Sequence, residues 1–412
     1  MSIDRTRRFV GAAIGLVLVF ATACSSDPVL DDVKPTIDKA LPPGAPALIR
    51  AEPADIPDWK KLWPADPGTL EALDQSLAYF AKPSSKKHFP YALVDGSVSH
   101  DRQIESLKTL RKILEVSRTE REFEGWMNGA FDVYKSVGYD YDKGKLGGSV
   151  FFTAYYTPIF EGSRTADETY RYPLYRRPAD LVTDDEGTPL GRKTADGTTV
   201  PWPTRAEIES SGMFAGTELL WLKDPFEVYI VHVQGSARVR MPTGEIVHVG
   251  YHGKTDRPYR SVGQELVKRG KLKAEELNLA RLREYFRAHP NETAAALGVN
   301  ESYVFFQMSP PGPFGSLGAR VTPWHTVATD KTIFPRGGLV VVRNDMPSKS
   351  GSGKVEPHVG LYFDQDTGGA IRAAGRCDVY VGIGEEAERI AGFTQSTGRL
   401  LYLFLKDRPV RP

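Results

Sequence analysis

A chain of 412 residues, 41% of them hydrophobic and with a formal charge of +1, is long enough for about two domains, each with a packed core. So balanced a charge gives no electrostatic basis for nucleic-acid binding. Two cysteines exclude a disulfide framework.

The N-terminus carries Arg5, Arg7 and Arg8, then an uncharged apolar run from Phe9 to Phe20, then small residues before Cys24. Residues 1–23 read as a signal peptide, because the run is too short to span a bilayer and its small-residue end marks cleavage. Ala21-Thr-Ala-Cys24 resembles a bacterial lipoprotein cleavage box, which would make Cys24 the lipidated first residue of a periplasmic protein. Ser25-Ser26, with no acidic pair, points to the outer membrane; plain secretion is the alternative. Removing residues 1–23 takes away three Arg and one Asp and leaves a charge of −1. Residues 24–58, with Pro42-Pro43-Gly44-Ala45-Pro46 at their centre, read as a tether.

Helices are expected next. Ile104, Leu107, Leu110 and Leu114 share one helical face. Thr119 and Glu122 form a capping box for a helix carrying Phe123, Met127, Ala130 and Tyr134 inward. After Gly147-Gly148 the apolar period changes to two, predicting strands at 150–156, 226–234, 237–240 and 246–251. Ser261 with Gln264 caps another helix that Gly270 closes, and a further helix runs over about residues 275–289. Strands are expected again at 303–306, 338–342, 359–363 and 400–405, with a Ser/Gly/Lys loop over 344–355.

Chemistry concentrates near the C-terminus. Asp366-Thr-Gly-Gly-Ala-Ile-Arg372 and Asp378-Val-Tyr-Val-Gly-Ile-Gly384 put two carboxylates at strand ends or in the connection between strands. Gly368 and Gly369 would let a ligand approach the backbone. Two carboxyl groups close together in a cleft separate their pKa values and leave one protonated near neutrality. Asp beside Gly also caps turns, so both readings stand on residue chemistry alone. Gly382-Ile-Gly384-Glu-Glu-Ala387 matches a dinucleotide fingerprint, but Glu385 and Glu386 would face a pyrophosphate and no βαβ pattern surrounds it. His232, His248 and His252 lie on neighbouring predicted strands without metal-ligand spacing, so no metal or cofactor is expected. No nucleophile-elbow motif supports a serine hydrolase. Cys377 reads as small apolar packing rather than a nucleophile. Tyr155, Tyr156, Trp202, Trp221 and Trp324 lie beside polar or Gly-rich loops, where they would stack on sugars or pack in the core.

The Asp366 and Asp378 segments resemble the signature of the membrane-bound lytic transglycosylase A family, whose C-terminal module is named for three aspartates. The third candidate is Asp330, in Ala-Thr-Asp330-Lys-Thr-Ile-Phe-Pro-Arg-Gly. The resemblance continues through Phe152-Thr153-Ala-Tyr155-Tyr156-Thr-Pro158, Val233-Gln234-Gly235-Ser236, Tyr259-Arg-Ser-Val-Gly263 and Tyr303-Val-Phe-Phe306. This chain departs in having Arg372 for the usual Lys and a spacer one residue longer before Asp378.

The resemblance implies a mainly β protein with a helical N-terminal part. A double-psi β-barrel domain (59–157 and 310–412) would carry a second, inserted β domain (158–309), with a glycan groove between them. It implies a peptidoglycan lytic exotransglycosylase, a lyase that cuts the β-1,4 bond between N-acetylmuramic acid and N-acetylglucosamine and leaves 1,6-anhydro-muramyl ends. Asp378 would be the acid/base, with Asp366 and Asp330 beside it and no metal or cofactor. Thr153, Tyr155, Tyr156, Gln234, Gly235, Ser236, Gly368 and Gly369 would line the groove. The expected partners are peptidoglycan strands and, through the lipid, the outer membrane; no particular cell-wall synthesis or division protein is indicated. An inverting glycoside hydrolase, with carboxyl groups about 6.5–9.5 Å apart, and a non-catalytic peptidoglycan-binding lipoprotein are the alternatives.

Overall fold

The computed structural model describes residues 37–185, 187–349 and 354–410. The expected leader and Cys24 lie outside them. Strand β1 (Leu48–Arg50) opens the body, with Leu48 fully buried, so folding starts inside the segment expected to be tether. Three helices follow: α1 (Pro67–Phe80), α2 (His100–Val116) and α3 (Glu120–Ala130). A small hairpin of β2 (Tyr91–Leu93) and β3 (Gly96–Val98) lies between α1 and α2. Thr119 caps α3 by accepting from the Glu122 amide. That helix stops at Ala130, and Tyr134 belongs instead to β4 (Phe131–Ser136). The β-branched and aromatic run Phe131-Asp-Val-Tyr134 pairs with the C-terminal strand Ser396–Leu405, with Tyr134 also pairing to Arg50 of β1, and this overrides the helical spacing.

The chain then enters β5 (Val150–Thr157) and passes into a large excursion. Its main sheet contains β6 (Ile159–Ser163), β7 (Tyr172–Tyr175), β11 (Glu218–Leu222), β12 (Ser236–Arg240), β13 (Ile246–Lys254) and β14 (Val304–Met308). The order across the sheet is β14-β13-β12-β6-β11-β7. A satellite sheet comprises β8 (Leu181–Thr183), β9 (Pro189–Lys193) and β10 (Thr199–Val200). Five helices belong to this part: α4 (Arg205–Ser211), α5 (Pro225–Gln234), α6 (Val262–Lys268), α7 (Leu279–Ala288) and α8 (Pro290–Leu297).

Helix α5 overturns the strand expected at 226–234. A continuous apolar run does not distinguish a buried helix from a buried strand by periodicity. The ends decide it. Asp224 accepts from the Phe226 amide, Pro225 opens the first turn, and Gly235 closes the helix at φ +74°. Phe226, Val228, Tyr229, Ile230, Val231 and His232 are all buried, so the helix is apolar around most of its girth.

The chain returns with β15 (Thr326–Ala328), β16 (Leu339–Pro347), β17 (Val355–Asp366), β18 (Arg376–Ile383), α9 (Glu385–Phe393) and β19 (Ser396–Leu405). The β16–β17 hairpin pairs from Leu339–Phe363 out to Pro347–Val355, so both ends of the expected 344–355 loop, 344–347 and 355, are strand. Strands β19, β16, β17, β15, β18 and β5 pair in that order, and β5 pairs back to β19, which closes a six-stranded barrel. Its inside is filled by Phe152, Val340, Tyr362, Cys377, Val379 and Tyr402. Leu339, Val341, Leu361, Phe363, Leu401 and Leu403 point outward under α1–α3. The molecule is therefore mainly β, with a double-psi barrel, helices against one wall, and a second β domain.

Candidate active site

Alternation along β18 fixes which residues leave the barrel. Cys377, Val379 and Val381 are buried within it, so Asp378 and Tyr380 face out. On β5 Phe152 and Tyr156 are internal, and Thr153 and Tyr155 face out on the same side. The ladders align these positions: Asp378 pairs with Thr153 on one side and with Ala328 on the other, and Ala328 pairs with Asp366. Asp366, Ala328, Asp378 and Thr153 thus form one row across β17, β15, β18 and β5.

Asp366 reaches this row only through an irregularity. Asp364 pairs with Val327 and points into the barrel, and two-residue alternation would send Asp366 inward as well. A bulge at Gln365 shifts the register and turns Asp366 outward. Gln365 itself is buried, donating to the Ala72 carbonyl at 2.6 Å and accepting from Thr326 Oγ1 at 2.7 Å, which pins the bulge against α1.

The two carboxylates differ in their partners. Asp378 Oδ1 accepts from Thr153 Oγ1 at 2.8 Å. Burial pushes the Asp378 carboxyl up to about 6; Arg376 and the Thr153 hydroxyl pull it down, and Asp366 adds a smaller upward push. Asp366 Oδ1 accepts from the Ser316 and Thr367 amides, both at 2.8 Å, and Oδ2 accepts from Tyr155 Oη at 2.8 Å. Burial raises Asp366 too, opposed by those three donors and by Lys331. Asp378 keeps a free oxygen; each oxygen of Asp366 already holds a donor.

Asp330 stands off the row. Its Oδ1 accepts from the Thr332 amide and hydroxyl, and its Oδ2 from the Ala373 amide at 2.9 Å. Ala373 has φ +65°, so Asp330 holds a strained turn between β17 and β18. Gly368 and Gly369 sit in that connection; Gly369 has open space around it, and the Gly368 carbonyl accepts from the Ile371 amide at 3.0 Å.

Tyr155 remains half-buried, its ring 5.1 Å from that of Tyr380, and its hydroxyl is committed to Asp366. Tyr156 is only 1% exposed, so its ring is not available for stacking. Gln234 Oε1 accepts from the Tyr156 amide at 3.1 Å, so these two segments meet directly. Gly235 supplies the left-handed turn after α5, and Ser236 starts β12 opposite Gly250. Trp202 is fully buried against Phe214 and Phe305 and is a core residue. Trp324 stays half-buried, and its amide donates to the Tyr380 carbonyl at 2.7 Å. His232 is in α5 rather than on a strand, accepting at Nδ1 from Arg205 and from the Val304 amide.

Sequence reasoning missed three features. Tyr380 lies two residues from Asp378 on a strand, a spacing that marks it as a same-face neighbour. Arg376 flanks Asp378 on the other side by the same rule. Asp364 is fully buried inside the barrel, where it pairs with Lys331 and accepts from Thr329 Oγ1 at 2.7 Å and Tyr402 Oη at 2.6 Å. Nothing local distinguishes it from Asp366.

Residues 151–307 match the family described as the MltA specific insert domain, and residues 325–404 match the 3D domain. The chain is 30% identical over 268 residues to the membrane-bound lytic murein transglycosylase A of Vibrio cholerae, covering 64% of this chain and 68% of that protein. Its fold is similar to the crystal structure of a membrane-bound lytic murein transglycosylase from Agrobacterium tumefaciens, with a TM-score of 0.70, 24% identity, and 87% and 98% of the two chains covered. It is similar also to Escherichia coli MltA with bound chitohexaose, at TM-score 0.63 and 24% identity, over 81% and 90% of the chains.

Proposed function

Since the chain belongs to the membrane-bound lytic murein transglycosylase A family, we infer that its carboxylate row performs the cleavage of peptidoglycan strands. The enzyme is a lytic transglycosylase. In this reading it splits the β-1,4 bond between N-acetylmuramic acid and N-acetylglucosamine, leaves a 1,6-anhydro-muramyl end, and divides into 59–157 with 310–412 and an insert at 158–309.

The observation that carries the reading is the unequal state of two carboxylates on one face. Thr153 donates to Asp378 Oδ1, so the proton of the acid form resides on Oδ2. With its carboxyl at about 6, Asp378 is protonated in roughly one molecule in ten at pH 7. Oδ2–H donates to the glycosidic oxygen as the bond to C1 breaks. The carboxylate so formed takes the proton of the muramyl C6 hydroxyl while that oxygen closes on C1. One residue acts as acid and then as base.

Asp366 has another role. An inverting hydrolase needs a second carboxylate to take a proton from water. Here each Asp366 oxygen is already an acceptor, for Ser316 and Thr367 on one side and Tyr155 on the other. That arrangement suits a fixed negative charge beside an oxocarbenium-like transition state. Mass spectrometry of peptidoglycan digested by the purified protein tests the assignment. Anhydro-muramyl ends support it; reducing ends indicate hydrolysis, and intact strands indicate a binding protein.

The Arg-rich start and Cys24 support lipid anchoring, and Ser25-Ser26 supports the outer membrane and the periplasmic space. Cys24→Ser should release the protein from the membrane fraction while leaving cleavage intact. A variant that still sediments with membranes contradicts the anchor.

A further inference from the structure

Lys331 and Asp364 form an ion pair enclosed by the barrel, their side chains 4% and 0% exposed. Neither takes part in the cleavage chemistry. Replacing a buried ion pair by apolar residues of similar volume is often neutral or stabilising, so stability by itself does not account for it. Its contacts point to another role. Thr329, the first residue after β15, donates its hydroxyl to Asp364 Oδ2 at 2.7 Å and accepts from Lys331 Nζ at 2.9 Å. The one proton and a lone pair of that hydroxyl are both committed, which fixes the side chain from two sides. Tyr402 Oη donates to the same Asp364 oxygen at 2.6 Å and ties the pair to β19.

The main chain of Thr329 carries this constraint to the site. Its amide donates to the Asp366 carbonyl at 3.2 Å, and its carbonyl accepts from Thr367 Oγ1 at 2.8 Å. The Thr367 amide in turn donates to Asp366 Oδ1 at 2.8 Å. Hydrogen bonds therefore run without a break from the enclosed pair to the carboxylate in the row. Asp330, between Thr329 and Lys331, accepts from the Ala373 amide in the turn before β18. Residues 329–331 thus grip the Asp366 segment at its start and near its end. Regular alternation would send Asp366 into the barrel, so the bulged backbone depends on such support. The charge of Lys331 also opposes the burial that raises the Asp366 carboxyl.

We propose that Lys331 is a positioning residue: paired with Asp364, it clamps Thr329 beside the β17 bulge and so holds the Asp366 carboxylate in the row with Asp378. This rests on the cleavage assignment above. The geometry of two carboxylates is then set from inside the barrel, by groups that never meet the glycan.

The test separates turnover from stability, using full-length protein. Lys331→Met combined with Asp364→Asn removes both charges, and thermal midpoints check folding. The kcat of this double variant should fall about ten- to a hundredfold, the scale of a misplaced catalytic group, with KM unchanged. The loss should act through Asp366, so the same pair of substitutions added to Asp366→Asn should lower kcat no further. Should the double variant fail to fold, Thr329→Val cuts the same link at constant shape; it should lose kcat in the same way, and Thr329→Ser should keep it. Native-state hydrogen exchange reads the placement without turnover. The Ser316 and Thr367 amides, both bonded to Asp366 Oδ1, should exchange faster in the variant while those of β16 and β19 stay protected. A variant whose kcat returns with its stability, or a loss that multiplies in full on Asp366→Asn, overturns the proposal. Absence of anhydro products from wild type, with the exchange difference intact, counts against the cleavage assignment alone.

Discussion

Asp378→Asn should raise stability and abolish turnover, with opposite dependence on pH. Folding moves the Asp378 carboxyl from an ordinary 3.8 up to about 6, chiefly by burial. At 1.36 kcal/mol per pKa unit, the ionised form costs the folded state about 3 kcal/mol, and partial exposure reduces this to about 1–3 kcal/mol. The sign follows from proton binding. The folded state holds the proton more tightly than the unfolded chain, so the wild type has its full stability below about pH 4. It loses the difference as pH rises through 6. Asn carries no such penalty and can still accept from Thr153. Urea denaturation should find the variant more stable by about 1–3 kcal/mol at pH 8 and nearly equal at pH 4. Release of anhydro-muropeptides should fall by about 10²–10⁴, since a positioned acid/base is typically worth that factor. Wild-type kcat/KM should itself fall about tenfold per pH unit above about pH 6, as the acid form is depleted. A variant that keeps more than about a tenth of turnover, or is less stable than wild type at pH 8, refutes the assignment of Asp378 as a carboxyl held partly protonated by its burial.

Arg376→Gln removes the cation that most depresses Asp378, so the alkaline limb of the kcat/KM profile should move to higher pH; a limb that stays or moves down rejects the electrostatic reading. Asp366→Asn removes a neighbour that pushes Asp378 up, and the same limb should move to lower pH by a smaller amount, measured on the same substrate. Asp364→Asn leaves buried Lys331 without its counter-charge and should cost about 3–5 kcal/mol in urea unfolding. Pairing it with Lys331→Met should recover much of that loss, and a single variant indistinguishable from wild type would show that the pair contributes little.

Much of the scaffold was legible because its signals are local. Thr119 before Glu122 and Ser261 before Gln264 cap helices through hydrogen bonds spanning three residues, and both are present. The change to two-residue alternation after Gly148 announced β5, and the Gly-rich stretch after Asp366 announced a connection between strands. Local reading failed where ends and neighbours outweigh composition. In α5, Asp224, Pro225 and Gly235 overrule a run rich in β-formers, and Tyr134 was drawn from a helical spacing into β4 by its pairing with β1 and β19.

The sequence by itself determined the residue types of the site and their order along the chain, and it carried the ordered motifs that the family shares. Only tertiary structure brought Thr153, Ala328, Asp366 and Asp378 into one row, because register joins β15 to β17 and β18, and β18 to β5, where Thr153 lies 225 residues before Asp378. It also decided which aspartates point into the barrel and which point out of it. One extra residue at Gln365 reverses the alternation, so Asp364 is enclosed with Lys331 while Asp366 is turned out into the row with Asp378. A bulge is set by packing against α1 rather than by any nearby sequence signal, and burial, which raises Asp378 to about 6, is a property of the assembled barrel.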